Sequence, residues 1–412
     1  MKAYPDFDAL GSAAFRADPY PVLARLRAES PVFRHAPGLV TSHHFFRYDD
    51  IRAVLADPET FSSDRSLLGG GELGDANLAF LFNNLISASG DKHRRLRMIG
   101  NRVFMANRIE RFRSALETVV AERIDHALGA GEIDIVEEFA APITVAMITA
   151  ILGLPLADMP QIRRWASVLG DNSGAATWLA AMDPAILDRG RRTGIEMSEY
   201  FSDYIEERRR TPREGDIISD FLTVEVEGQR LTGDEVLSMA MLILLAGNET
   251  TTNLIVNLLR LLDANPGQAA RLRADPGLAD PAVEEVLRLR NSIRNIDRYA
   301  LGEVRMRGVT IPAGGLCVLW LAAANRDPEV FADPDAFVID RYLPQNATPR
   351  HLAFGSGIHF CLGAPLARLE TSITARAIAR RTRAVEMTAP PEFGLNANFD
   401  NVTRQPARFH AL

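Results

Sequence analysis

From 92 to about 170 the apolar and polar positions recur at helical spacing, and residues near Gly129, Pro142 and Pro155 predict a break at each place. A second helical stretch, 190–210, becomes strongly charged towards its C-terminal end. The longest helix is predicted to begin at Thr232, where Thr232-Gly233-Asp234-Glu235 has the form of a capping box, and to run through Leu262 to Pro266. That is about thirty residues, or roughly 45 Å of helix. Helical signals recur at 281–290 and 366–383. Only 298–320 alternates as strands do, with Gly302, Gly308, Pro312 and Gly314 at the turns.

The first sixty residues mix turns with short extended pieces, Pro31-Val32-Phe33 and Leu39-Val40-Thr41. Asp49-Asp50 is expected to cap a short helix at 51–55 that ends at Asp57-Pro58. A glycine-rich stretch, 67–74, reads as a loop in apolar company: Leu73, Leu78, Phe80, Leu81, Phe82 and Leu85. No repeat, linker or low-complexity segment interrupts the pattern. The fold class expected is mainly α with a minor β region, in a single large domain over 1–412.

Composition narrows the function. The 412 residues are 47% hydrophobic and 24% charged, which excludes disorder and collagen-like repeats. A formal net charge of -7 argues against a nucleic-acid partner. The two cysteines, Cys317 and Cys361, have no zinc-site spacing and permit at most one disulfide, so a reducing cytoplasm is the expected location. Met1-Lys2-Ala3-Tyr4-Pro5-Asp6 lacks the charged-then-apolar signal pattern. The longest apolar run, 239–247, ends at Asn248-Glu249, short of a membrane span, so no membrane association is expected.

One of the two cysteines has a chemical context. Phe354-Gly355-Ser356-Gly357-Ile358-His359-Phe360-Cys361-Leu362-Gly363 carries three glycines among ten residues, which lets the backbone approach a flat partner. Ala364-Pro365-Leu366-Ala367-Arg368-Leu369-Glu370 then opens a helix, with proline in its first turn. Cys361 thus stands just before a helix N-terminus, whose dipole and N–H groups favour a thiolate, a soft ligand for iron. The stretch resembles the haem-binding signature of the cytochrome P-450 family at Phe354, Gly355, Gly357, His359, Cys361 and Gly363. Cys317, in Ala313-Gly314-Gly315-Leu316-Cys317-Val318, has no such context and is expected in the core.

Other motifs keep the same register. In Ala246-Gly247-Asn248-Glu249-Thr250-Thr251, Gly247 removes bulk from one helix face, and Thr250 can bond a carbonyl one turn back. The stretch resembles the family's oxygen-activation motif, which implies that Glu249 and Thr250 deliver protons. Glu285-Val286-Leu287-Arg288 resembles the Glu-x-x-Arg motif, and Arg341 fills the slot of the arginine that completes a structural triad. By resemblance His93 and Arg97, spaced i, i+4, reach the haem propionates, as do His359 and Arg298, which lies thirteen residues after Glu285. Ala324-Asn325-Arg326-Asp327-Pro328 matches a further landmark. The likeness spans about residue 30 to the C-terminus. It departs at Ser89-Gly90-Asp91-Lys92, where a proline-rich lead-in is usual, and at Ser292, a position often held by proline.

The resemblance implies a soluble bacterial-type haem-thiolate monooxygenase. Haem b (iron protoporphyrin IX) would be held by Cys361 as axial ligand and lie near Ala246 and Gly247. Its electrons would come from an external 2Fe–2S or similar ferredoxin with an NAD(P)H-dependent ferredoxin reductase, since no flavin or iron–sulfur segment is visible. Arg94 and Arg95 are candidates for a basic docking patch, with a merely solvated helix face as the alternative. The reaction expected is hydroxylation, or O- or N-dealkylation, of a mostly apolar small molecule by O2, in a monomer. The implied pocket draws on Leu78, Phe82, Leu85, Leu242, Asn248, Ile293, Arg294, Asn295 and Val402, with Arg294, Asn295 and Asp400 as possible polar anchors. The alternatives are a peroxide-driven peroxygenase, against which the Glu249-Thr250 pair argues, and a non-catalytic haem sensor.

Overall fold

Thr232 caps the longest helix, Gly233–Ala264. Its hydroxyl accepts from the Glu235 N–H at 3.2 Å while the Glu235 carboxylate accepts from the Thr232 N–H at 2.9 Å. Pro266 begins a new helix, Pro266–Ala274, so the long one stops where the sequence predicts. The long helix is apolar on more than one face and serves two cores. Val236, Met239, Ala240, Leu244, Ile255, Val256 and Leu259 join the larger cluster, whereas Leu254, Leu258, Leu261 and Leu262 pack with the helices Ala279–Leu289 and Ala364–Arg381.

The structure is a computed structural model that describes residues 12–36, 41–64, 84–171 and 184–412. The helical interval after 92 divides into Gly90–Val103, Ala106–Glu110, Arg113–Ala130, Ala141–Leu152 and Met159–Asp171. The first break falls at Gly131, with φ +83°, and the last follows Gly153, a left-handed cap with φ +68°. Pro142 makes no break. A π-helical turn, Ile135–Ala140, runs directly into Ala141–Leu152, and the proline sits in the first turn, where its missing N–H is tolerated. The predicted helix at 51–55 is Tyr48–Ala56, with Asp49 and Asp50 inside its first turn rather than capping it.

Two helical segments, Ile135–Leu152 and Gly233–Ala264, are long and apolar enough to cross a membrane by length and composition. Counting apolar runs alone missed both. Their apolar windows are 72% and 67% buried in the fold, so the apolar surface serves the core.

The main sheet orders Val32–His35, Ser42–Phe45, Leu316–Leu319, Ile296–Ala300 and Phe61–Ser62. The predicted 298–320 strands supply its centre and the small hairpin Val304–Met306 with Val309–Ile311. The predicted piece at 39–41 lies partly outside the described residues, and the strand itself is Ser42–Phe45, paired in parallel with Leu316–Leu319. Cys317 is buried there, and burial pushes its thiol up to about 12.

The turn before the strand Val402–Arg404 is locked to segment 291–295 by charge. Asp400 and Arg294 are both 0% exposed and bonded at 2.7 Å, and Arg290 reaches the same carboxylate at 3.1 Å. Asn257 donates to it at 3.0 Å, and the Asp400 N–H donates to the Ser292 carbonyl at 2.8 Å. Burial alone would raise the Asp400 carboxyl, but Arg290, Arg294 and Arg260 override it and hold it well below the usual range. Arg294 and Asp400 thus bind each other where a free polar anchor was expected, and only the Arg294 Nε is buried without a partner. Asn295 likewise donates to Asn398 at 2.9 Å. Asp400→Asn leaves Arg294 buried without a full counter-charge and should cost about 3–5 kcal/mol in chemical denaturation; a loss under ~1 kcal/mol would contradict this account.

Candidate active site

The cysteine loop is shaped by close approach. Gly355 and Gly357 both have φ +70°. A Cβ at Gly357 would stand 2.2 Å from the Leu55 carbonyl oxygen, so the loop lies directly on the end of the helix Tyr48–Ala56. The Cys361 N–H donates to the Phe354 carbonyl at 3.0 Å and closes the loop before Gly363 caps Ala364–Arg381. Burial pushes the Cys361 thiol up, while the N–H groups of Gly363 and Ala364, with Arg97 and Arg368, pull it back. The helix terminus is thus present as expected, and its N–H groups favour the thiolate against the effect of burial.

A neighbouring helix clips this loop in place. Glu284, on Ala279–Leu289, takes both Nε and Nη2 of Arg368 at 2.6 and 2.8 Å, and His351 at 3.2 Å. The Arg368 guanidinium in turn lies 4.7 Å over the Phe354 ring. The next residue, Glu285, is fully buried between Arg288, at 2.8 Å through two nitrogens, and Arg341, at 3.0 Å. Arg288 also donates to the carbonyls of Asn325, Pro334 and Ala336, so the group fixes the chain between 325 and 341.

Four bases converge beside the sulfur. The His93 and His359 rings lie 4.0 Å apart, Arg97 follows one turn after His93, and Arg298 comes from Ile296–Ala300. Burial, then Arg97 and Arg298, lower His93 to about 4; burial, then Arg298, His93 and Arg97, lower His359 to about 3. Burial lowers Arg298 to about 10 and depresses Arg97 too, against the pull of Cys361. None of the four has an ion-pair partner among the described residues, and His93 Nε2 is buried without a hydrogen bond. Such a cluster is electrostatically unfavourable unless anions enter it. A ligand with two carboxylates and a metal for the sulfur satisfies both demands, as haem does.

Opposite demands shape the midpoint of the long helix. Ala246 is exposed although the helix around it is largely buried, and Leu242, Gly247, Glu249 and Thr250 are half-buried. The Thr250 hydroxyl donates to the Ala246 carbonyl at 2.6 Å. Gly247 has a packing role as well: a Cβ there would meet the Ile148 Cδ1 at 2.7 Å, so the glycine also lets the helix Ala141–Leu152 come close. The expectation for Asn248 is corrected. It is buried and accepts from the Thr144 hydroxyl at 3.1 Å, part of a clasp with Thr252, and so faces the helix packing.

The remaining predicted pocket residues divide. Leu78 and Phe82 lie outside the described residues. Leu85 and Val402 are buried in the larger core, Leu242 packs against it, and half-buried Ile293 bridges to Phe399. The basic patch assigned to Arg94 and Arg95 is not free: Arg95 makes a two-pronged bond to Glu235, and exposed Arg94 lies near Asp91 and Glu227. Sequence reasoning missed Glu284 and Arg290, since neither belongs to a motif.

Comparison with known proteins agrees with this geometry. The model of the family described as Cytochrome P450 matches residues 9–276 and 277–388. The chain belongs to the cytochrome P450 family. It is 39% identical over 392 residues to the cytochrome P450 monooxygenase PikC of Streptomyces venezuelae, covering 94% of this chain and 89% of that protein. It is 37% identical over 367 residues to the vitamin D(3) 25-hydroxylase of Pseudonocardia autotrophica, covering 88% and 85%. The crystal structure of P450BioI in complex with an acyl carrier protein bearing hexadec-9Z-enoic acid superposes with TM-score 0.88 at 29% identity, over 97% of this chain and 100% of that one. This P450 is therefore a monooxygenase with haem b as cofactor, and its mainly α fold is that of the family.

The clip on the cysteine loop has a pH signature. Burial would raise Glu284, but Arg368 and His351 hold its carboxyl at about 2, against an ordinary 4.5. A depressed carboxyl stabilises fully above the unfolded value and loses that contribution as pH falls towards the folded one. Discounted for the partly exposed arginine, the contribution is about 2 kcal/mol. The stability difference between wild type and Glu284→Gln should therefore shrink steadily from about pH 5 to pH 3 in denaturation series. A difference independent of pH contradicts it.

Proposed function

We propose that this P450 takes electrons from an external 2Fe–2S or similar ferredoxin, reduced by an NAD(P)H-dependent ferredoxin reductase, and hydroxylates or O- or N-dealkylates a mostly apolar small molecule. The observation that carries the reading is the cluster of bases His93, Arg97, Arg298 and His359 near Cys361, with Arg97 acting on both the histidines and the sulfur. Cys361 would ligate the iron, the four bases would take the propionates, and Phe354, Gly355 and Gly363 would wall the sulfur side, with Ala246 and Gly247 on the other. When bound, haem supplies the activation of O2 and the oxidation of the substrate's C–H bond.

The chain's own groups handle protons and position. The Thr250 hydroxyl donates a hydrogen bond to the Ala246 carbonyl, which leaves its oxygen lone pairs free to accept from water or a neighbouring acid. Glu249 precedes it and is half-buried, so its carboxylate can exchange protons with solvent and pass them inward. Arg294 and Asp400 bind each other and Asn295 donates to the Asn398 side chain, so the charges of segments 292–296 and 399–402 are paired within the chain. A substrate whose single polar group is neutral, a hydroxyl or carbonyl, suits these two segments. The vitamin D(3) acted on by one relative has this character, apolar with a hydroxyl. A cytoplasmic monomer completes the proposal.

Two measurements test it. The reduced protein under carbon monoxide should show the red-shifted band of thiolate ligation, and Cys361→Ser should abolish it; a spectrum like that of histidine-ligated haem overturns the assignment. Optical titration with vitamin D3 and hexadec-9Z-enoic acid should give type I shifts with the neutral molecule favoured by about tenfold or more in Kd. Shifts produced only by small, fully polar ligands contradict the substrate class.

A further inference from the structure

Three backbone carbonyls at the midpoint of the long helix accept an additional side-chain donor. Thr250 Oγ1 donates to Ala246 at 2.6 Å, Asn253 Nδ2 donates to Glu249 at 3.0 Å, and Ser292 Oγ donates to Thr250 at 2.7 Å. The first two donors belong to the helix itself. Ser292 does not: it comes from the segment between Ala279–Leu289 and Ile296–Ala300. It is also where the chain departs from the proline common in the family, and proline can donate nothing.

Ser292 is held from behind. Its carbonyl accepts from the Asp400 N–H at 2.8 Å, and Asp400 is locked by Arg290 and Arg294. The hydroxyl is therefore presented to the helix by a segment that is itself hydrogen-bonded to an ion-paired turn. A lateral donor on a helix carbonyl tilts that peptide off the axis, and the tilt turns the side chain of the residue that bears the carbonyl. Here that residue is Thr250.

We infer that Ser292 is a positioning residue that sets the orientation of Thr250 through its backbone carbonyl. The inference rests on the proposed role of Thr250 in proton delivery. The tether ties proton delivery to the same segment, 292–296, that the family likeness puts beside the substrate. A ligand that shifts Ile293 would then shift Thr250 through Ser292.

The test uses the haem-loaded protein and its Ser292→Ala, Ser292→Thr, Thr250→Ala and Ser292→Ala/Thr250→Ala variants. Hydrogen exchange, read by mass spectrometry, should quicken about fivefold for amides at 250–254 in Ser292→Ala, stay unchanged elsewhere in the helix, and return to normal in Ser292→Thr. With ferredoxin, its reductase and whichever of vitamin D3 or hexadec-9Z-enoic acid gives the larger type I shift, the fraction of electrons released as hydrogen peroxide should rise at least about twofold in Ser292→Ala. Ser292→Thr should restore it, and Ser292→Ala should add nothing in the Thr250→Ala background. Unchanged exchange at 250–254, or a peroxide rise of equal size in both backgrounds, overturns the positioning role. If Thr250→Ala alone leaves peroxide release unchanged, the proton-delivery reading of Thr250 falls instead; if it raises release while Ser292→Ala is silent, only the positioning role falls.

Discussion

A carboxylate buried in a protein must find donors for its oxygens, and much of this structure is arranged around that demand at the end of one helix. Glu285 is enclosed by Arg288 and Arg341, and also takes the Val338 N–H at 3.1 Å. Its neighbour Glu284 faces the other way and holds Arg368 of the cysteine-loop helix. Just beyond the helix, Arg290 meets Asp400. Within seven residues, one short helix and the residue that follows it secure the chain leading to the cysteine loop, the loop itself and the turn that supports segment 291–295. Removing one charge from such a set leaves its partner buried and unpaired, which is the costly case.

Around the sulfur the electrostatics are reversed. Four bases are gathered with only Asp297, next to Arg298, acting on them as an acid, and burial raises the cysteine thiol despite the helix terminus. The fold brings two arginines and two histidines together there without giving any of the four a side-chain ion pair among the described residues. The demand it creates, a dianion bearing a metal, is the most specific statement the protein makes about its cofactor.

Several polar residues of the expected pocket instead bind each other. Asn248 and Thr144 lie 104 residues apart and close a helix contact; Arg294 and Asp400, 106 apart, neutralise each other. Arg95 meets Glu235 rather than solvent. Buried polar groups seek the nearest complementary partner, so few in a tightly packed interior remain free for a ligand. These pairings take Asn248, Arg294 and Asp400 into contacts with the chain's own groups.

What the sequence determined by itself is local chemistry. The capping box at Thr232, the glycine turns beside Cys361, the i, i+3 pair Glu285–Arg288 and the back-bond from Thr250 are all made within a few residues, where backbone geometry alone sets the distance. Family likeness rests on those same stretches. Tertiary structure decided what each remaining polar residue faces: Gly247 makes room for Ile148, Ser292 reaches Thr250, and Glu284 holds Arg368. Those contacts join residues 42 to 99 positions apart, counting from Ser292–Thr250 to Gly247–Ile148. A side chain's role follows from the donor or acceptor that packing brings within about 3 Å, and spacing along the chain does not encode that neighbour.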